Sequence, residues 1–168
     1  MLYYDIISSP IGKLLLLTSD KGLKKILFEE HIDLENISDD WQQEASKLVQ
    51  VKTQLNEYFE KKRTSFSLNL DPDGTVFQKQ IWKQLEQIPF GELRSYQDIA
   101  NKIEKPNACR AVGMANSKNP IPIVVPCHRV IGKNGKLTGY AGGLENKAIL
   151  LRIEGIDQEN KSQQFQLF

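Results

Sequence analysis

The residues best equipped for chemistry in this 168-residue chain are neighbours at 127 and 128, inside the stretch PIPIVVPCHRV (120–130). Cys127 is one of two cysteines, and His128 is one of two histidines. A thiol attacks carbon as thiolate, and an unassisted cysteine is mostly protonated at neutral pH. A nucleophilic Cys127 therefore needs a base, and the base needs a group that orients it. His128 is the nearest base. Successive side chains of an extended run point to opposite faces, so the two meet only through a turn or a bridging water. Glu154 is the available orienting carboxylate, one turn beyond Leu150 and Leu151 on the last helical pattern. A carboxylate beside an apolar stripe usually has a partner, yet periodicity alone reads Glu154 rather as a solvated residue at a frayed helix end. Taken alone, Cys127 also reads as a small buried hydrophobe.

Other chemistries fit less well. Cys109, Cys127, His31 and His128 show neither CxxC nor HxxxH spacing, whereas structural zinc asks for four closely arranged ligands. No metal is expected. Apolar content of 40% and charged content of 26% are those of a soluble globular protein. No apolar run is long enough to span a bilayer. The opening MLYYDIISSPIG lacks the basic-then-apolar order of a signal peptide. The expectation is a cytoplasmic protein with no membrane partner and with free thiols.

The net charge of +1 hides an asymmetry. Residues 91–136 hold eight basic side chains (Arg94, Lys102, Lys105, Arg110, Lys118, Arg129, Lys133, Lys136) against three acidic ones (Glu92, Asp98, Glu104), a net +5, and the remainder of the chain is −4. Such a basic segment suits a polyanionic partner. On charge alone a solvated surface of mixed charge serves as well.

The elements that must position these residues fall into two groups, and the length suits one sizeable domain or two small ones. Residues 2–8, 13–18 and 23–29 are β-favouring runs separated by Ser-Pro-Ile-Gly and Ser-Asp-Lys-Gly turns, which predicts a β-meander. Trp41, Ala45, Leu48, Leu55 and Phe59 recur at helical spacing and predict a helix over 41–59. Residues 66–70 read as a last short strand. Asp-Pro-Asp-Gly (71–74) breaks the pattern, so the boundary is placed between an N-terminal domain of 1–74 and a C-terminal domain of 75–168. The second part reads as mostly helical. A helix over 75–88 presents Phe77, Ile81, Leu85 and Ile88 on one face. Ser95 caps a helix over 96–104, Asn107 caps another over 108–116, and the short turn between them makes a helix-turn-helix. The second of those helices carries Arg110 near its start and the small residues Ala111, Gly113 and Ala115, which would let a nucleic-acid backbone approach closely. Asn134-Gly135 suggests a hairpin turn. Gly142-Gly143 precedes a final helix from Leu144 to about Glu154, closed by Gly155.

Four stretches carry a family resemblance: FGELRSYQDIA (90–100), RAVGMA (110–115), NPIPIVVPCHRV (119–130) and GYAGGLENKAILLRIEG (139–155). In order and spacing they are similar to the O6-alkylguanine-DNA alkyltransferases, also called methylated-DNA–protein-cysteine methyltransferases. The resemblance covers the second domain; the first matches only in length, position and its β-then-helix layout. It implies an α+β protein with a ribonuclease H-like N-terminal domain, built on a small antiparallel sheet and a helix, and a helical DNA-binding domain. The implied reaction is one irreversible transfer of an alkyl group from O6 of guanine to Cys127, without a cofactor, with O4-alkylthymine left open as a second substrate. His128 would be the base, acting through a water, and Glu154 would orient it. Asn119 would hold the turn before the cysteine. Tyr96 would assist base extrusion and donate toward N3 of guanine, and Arg110 would fill the gap in the stack. Tyr140 would line the pocket, and the Tyr140–Gly143 loop, with Ala141 and Gly142, would close it. The DNA-facing set implied is completed by Ala111, Gly113, Ala115, Arg129 and Val130. The partner would be duplex DNA bearing O6-alkylguanine, met by a monomer.

Two departures stand out. Some members have Ser where this chain has Ala141, which removes a hydroxyl and keeps a backbone donor. Some bind zinc in the first domain, where this chain has only His31 and no cysteine. Competing readings are a non-catalytic damage sensor of the alkyltransferase-like kind, a helix-turn-helix regulator and a cysteine hydrolase. The presence of Cys127 argues against the first. The small-residue helix face argues against base reading by the second, and the basic helical pair is left unexplained by the third.

Overall fold

Turn chemistry and strand propensity shape the first part of the chain as expected. In the computed structural model, which describes residues 1–33, 35, 37–132, 135 and 139–157, strands β1 (Leu2–Ile7), β2 (Leu14–Thr18) and β3 (Leu23–Phe28) form an antiparallel meander. A fourth strand, β4 (Trp41–Gln43), runs parallel to β1, giving the order β3-β2-β1-β4. The sheet is therefore mixed, and the helix expected over 41–59 is corrected at its start. Trp41, Gln42 and Gln43 pair with Leu2, Tyr3 and Tyr4, a 3-10 turn spans Ala45–Leu48, and helix α1 covers Val49–Phe59. Residues 41–43 satisfy their backbone on the open edge of β1, a gain that helical periodicity does not register. Leu14 to Leu17 are all buried in the second strand of this sheet. Leu48, Val51, Leu55 and Tyr58, at helical spacing, are buried with them. The expected strand over 66–70 reduces to one parallel bridge, Leu23 to Leu70. The segment is held instead by Gln54, whose amide donates to Ser67 O at 3.2 Å and accepts from Ser67 N at 2.9 Å.

The chain divides into two compact units, Met1–Asp73 and a second beginning at Gly74. The second opens with α2 (Val76–Glu86), whose N-terminus is closed by a reciprocal capping box between Thr75 and Gln78. Gly74 is required there: a Cβ would sit 2.4 Å from the Trp82 ring. Ile81, Trp82 and Leu85 form the buried face of α2. Strand β5 (Arg94–Ser95) leads into α3 (Tyr96–Lys102), which Ser95 and Asp98 cap reciprocally. Glu104, at φ 60°, turns the chain, and α4 (Cys109–Ser117) follows. The expected cap at Asn107 is not made; the residue preceding α4 is Ala108, with no side-chain cap. Helices α3 and α4 pack on each other and α4 packs on α2, completing the helix-turn-helix. Strand β6 (Val130–Ile131) pairs in parallel with β5, and α5 (Leu144–Ile153) ends the described chain, with Gly155 at φ 84° beyond it. Asn134 of the hairpin expected at Asn134-Gly135 and the tail over 161–168 lie outside the described residues. No helix among the described residues is long and apolar enough to cross a membrane.

One buried hydrogen bond ties α4 to α2: Trp82 Nε1 donates to Ala115 O at 2.9 Å. Trp82→Phe keeps most of the ring and removes the donor. A loss of about 1–2 kcal/mol is expected, read as a lower urea midpoint with an unchanged slope.

Candidate active site

The segment before Cys127 is not the extended strand expected from its prolines. Ile123 sits at φ 76°, and Val124 N donates to Pro122 O across it at 2.9 Å. A β-branched residue in this γ-turn is strained, at a cost of about 1–3 kcal/mol. Asn119 holds the strain in place. Its Nδ2 donates to Val125 O at 2.8 Å, and its Oδ1 accepts from Ile121 N at 3.0 Å. A second tight turn, Cys127 N to Val125 O at 2.8 Å, leads into a 3-10 turn over Cys127–Arg129. The acceptor thus lies on a helical turn, and the strict opposition of Cys127 and His128 that a strand imposes does not apply.

Behind this turn lies a buried polar cluster centred on Glu154. Its carboxylate meets His128 Nε2 at 2.5 Å and accepts from Arg129 Nε at 2.8 Å, Arg129 Nη2 at 3.2 Å and Gly91 N at 3.0 Å. The third guanidinium nitrogen, Nη1, donates to Ile88 O at 2.6 Å, and the guanidinium also stands over the Phe90 ring. Burial alone would raise the carboxyl pKa. The hydrogen bonds of His128 and Arg129, with the Gly91 N–H, outweigh it and hold Glu154 at about 2. Burial pushes His128 below its ordinary range against the pull of Glu154, with the charges of Arg129 and Lys147 adding to the fall. The imidazole is therefore neutral at pH 7. A carboxylate only accepts, so Nε2 carries the hydrogen and Nδ1 is the free acceptor. Nδ1 is buried and has no hydrogen-bond partner among the described residues.

Cys127 is 4% exposed. Burial raises its thiol to about 11, opposed by the Asn119 side chain, the charge of Lys147 and the backbone N–H groups of residues 127 and 128. The resting site is a neutral thiol beside a neutral imidazole, with groups in place to favour the thiolate once it forms.

The sequence reading missed two residues here. Lys147 is fully enclosed, donates to Val130 O at 2.7 Å, and is lowered to about 8 by burial against the attraction of Cys127. Asn116, 4% exposed, approaches the Cys127 carbonyl through Nδ2 at 3.5 Å. Both carry a legible signal. Lys147 shares the stripe of Leu150, Leu151 and Glu154, and Asn116 shares that of Val112, at helical spacing in each case.

Other expected site residues fall into two sets. On the helix-turn-helix, Arg110 and Ala111 are exposed, Tyr96 and Gly113 are half-buried, and the Tyr96 ring would lie 3.9 Å from a Cβ on Gly113. Before α5, Ala141 is exposed, Tyr140 is half-buried, and Gly142 is buried with its carbonyl accepting from Asn146 Nδ2 at 2.8 Å. Three of the residues expected to face DNA are buried. Arg129 is committed to Glu154 and Ile88, Val130 is fully enclosed, and Ala115 is buried with its carbonyl accepting from Trp82 of α2. Arg129 accordingly adds nothing to the exposed positive charge of this unit.

A thiol backed by a carboxylate-held imidazole, in the same unit as an exposed helix-turn-helix, marks a nucleophilic-cysteine protein that works on nucleic acid. Comparison with known proteins makes the class specific. Residues 76–156 match the model of the 6-O-methylguanine DNA methyltransferase DNA binding domain, and residues 2–72 that of its ribonuclease-like domain. A methylated-DNA–protein-cysteine methyltransferase of Methanosarcina barkeri is 52% identical, over 91% of this chain and 97% of its own. The constitutive enzyme of Bacillus subtilis is 46% identical over 96% of this chain and 100% of its own. The crystal structure of Mycobacterium tuberculosis OGT in complex with DNA superposes with a TM-score of 0.84 at 45% identity, covering 90% of this chain and 92% of that one. The chain belongs to the 6-O-methylguanine DNA methyltransferase family.

The Glu154 cluster sets the acid stability. A carboxyl held at about 2 against an ordinary 4.5 contributes stability that is present above 4.5 and lost as pH falls toward 2. The lowered His128 acts in the same direction below its ordinary 6.5. Unfolding free energy is expected to fall steadily from pH 6.5 to 2. Glu154→Gln should flatten that fall and cost about 3–5 kcal/mol at pH 7, as read by urea titration at each pH.

Proposed function

We propose that this protein repairs alkylated DNA by moving the alkyl group from O6 of guanine onto Sγ of its own Cys127, once per molecule. The observation that carries this is His128, held through Nε2 by the Glu154 carboxylate, with Nδ1 buried and without a partner among the described residues. A water between Nδ1 and the thiol passes the Cys127 proton to the imidazole. The thiolate attacks the alkyl carbon, the C–S bond forms, the C–O bond breaks, and the electron pair leaves with guanine. Glu154 stabilises the resulting imidazolium, and Lys147 the transient thiolate. Donors at the departing base, for which Tyr96 and the backbone N–H of Ala141 are candidates, offset the charge that develops there. The thioether product is not reversed by cellular reductants, so the protein is consumed, and no methyl-donor cofactor is needed.

Access requires base flipping. An O6 substituent inside a stacked duplex cannot reach a thiol enclosed in protein, so the nucleotide must leave the stack at a cost of a few kcal/mol, less for a poorly paired alkylguanine. Arg110, exposed in the first turn of α4, is the long side chain placed to occupy the gap. Lys102, Lys105 and Lys118 are also exposed on this unit and supply sequence-independent phosphate attraction. We place the protein in the cytoplasm as a monomer. A damage sensor that only binds is disfavoured by the presence of Cys127 and its base.

Mixing the protein with a duplex carrying one O6-methylguanine should add one methyl to the Cys127 peptide, saturating at one per protein by intact and peptide mass. Cys127→Ser should bind the same duplex with nearly unchanged affinity and gain no mass. Tight binding by the native protein without mass gain would leave a damage sensor. Arg110→Ala should slow transfer on duplex by about 10-fold or more and on the single strand much less, since only the duplex has a stack to open. Equal loss on both would remove Arg110 from base extrusion.

A further inference from the structure

Asn116 is an amide nine-tenths buried with half of its hydrogen-bonding capacity unspent. Its Nδ2 points at the Cys127 carbonyl, and that acceptor fixes the orientation of the amide, because turning it over would set two oxygens against each other. Oδ1 is then directed away from that carbonyl, and it has no partner among the described residues. His128 Nδ1 is the other orphan of this unit that borders the Cys127–His128 peptide. Asn116 reaches that peptide through its carbonyl, and Nδ1 lies three bonds from the Cα of residue 128. Two buried acceptors without donors therefore converge on the peptide that carries the nucleophile.

The proton relay proposed above raises the same question from the other direction. A water that accepts from the Cys127 thiol and donates to His128 Nδ1 has a second hydrogen, and buried waters generally make about three hydrogen bonds to otherwise unsatisfied groups. The charged groups around it cannot take that hydrogen. Glu154 is occupied by His128, Arg129 and Gly91, and Arg129 and Lys147, as cations, only donate. Asn119 has its Oδ1 on Ile121 N.

We propose that Asn116 Oδ1 accepts the second hydrogen of the relay water, making Asn116 a positioning residue that aims the water from the Cys127 thiol at His128 Nδ1. This inference rests on the alkyl-transfer function and deepens it. Donors and acceptors then balance: S–H to water, water to Nδ1, water to Oδ1. The residue also links recognition to chemistry. Asn116 stands near the end of α4, so a shift of that helix on DNA moves the acceptor that aims the water.

The test compares native protein, Asn116→Leu (similar size, no hydrogen bonds) and Asn116→Ser (an oxygen retained, with room for water). First-order methyl transfer is followed at saturating duplex from pH 6 to 9, alongside affinity for the duplex. Asn116→Leu should transfer about 10-fold more slowly at neutral pH with affinity unchanged. Its rate should climb about tenfold per pH unit where the native rate is flat, because a thiol without its relay must ionise directly and is held at about 11. Asn116→Ser should recover much of the rate and the flat profile. The proposal is overturned if Asn116→Leu keeps the native rate and profile, or if rate and affinity fall together with the native profile retained, which is the mark of a packing role. Absence of transfer by the native protein would instead overturn the function itself.

Discussion

Everything at this site depends on one buried carboxylate. Glu154 stands just past the end of α5 and gathers an imidazole, a guanidinium and a backbone N–H from distant parts of the unit. Each contact solves a problem for its partner. His128 is fixed in one tautomer, Arg129 is neutralised far from water, and the Gly91 N–H is satisfied where the chain turns at φ 80°. Taking two opposite charges out of water is costly unless geometry and further hydrogen bonds repay it. Here Arg129 is forked onto the carboxylate and also reaches Ile88 O, which meets that condition. The same carboxylate is thus a structural centre and the group that fixes the His128 imidazole.

The acceptor turn shows a second constraint, in which strain and satisfaction are set against each other. Ile123 adopts a conformation that β-branched residues avoid. It persists because Asn119 bonds the backbone on either side of it and because residues 121–130 are all buried, leaving no room to relax. The strain lies four residues before the nucleophile. It sets the path by which the chain reaches the 3-10 turn, and so decides that Cys127 and His128 are presented on one turn instead of on opposite faces of a strand.

Electrostatics divide the unit into an inside and an outside that charge counting cannot separate. Arg129 and Lys147 are cations of the interior, one paired with Glu154 and the other beside Cys127. Arg110, Lys102, Lys105 and Lys118 are cations of the surface. The first pair acts on a thiol and an imidazole; the second group is open to solvent. A protein that must hold a neutral thiol at rest and a thiolate in passing benefits from a cation that cannot leave, and burial of Lys147 supplies one.

The sequence by itself determined the local features, because their causes are local. Turn residues marked out the meander, Ser95 announced the start of α3, and Gly155 the end of α5. The motif around Cys127 announced the family and the chemistry. What periodicity could not give were the contacts made between elements distant in the chain. Trp41 to Gln43 read as helix until the edge of β1 offered them partners. Glu154 read as a frayed end until His128, Arg129 and Gly91 converged on it from 26, 25 and 63 residues away in the chain. Arg129 belonged to the basic segment and to the DNA-facing set that the resemblance implied, and only the fold brought it a buried anion. Lys147 and Asn116 carry no role on sequence alone, because a polar side chain is usually solvated, although each shares a stripe with apolar neighbours. Residue type and spacing decide which chemistry is available; whether a polar side chain meets water or another buried group is a property of the packed interior, and only the tertiary structure decided it here.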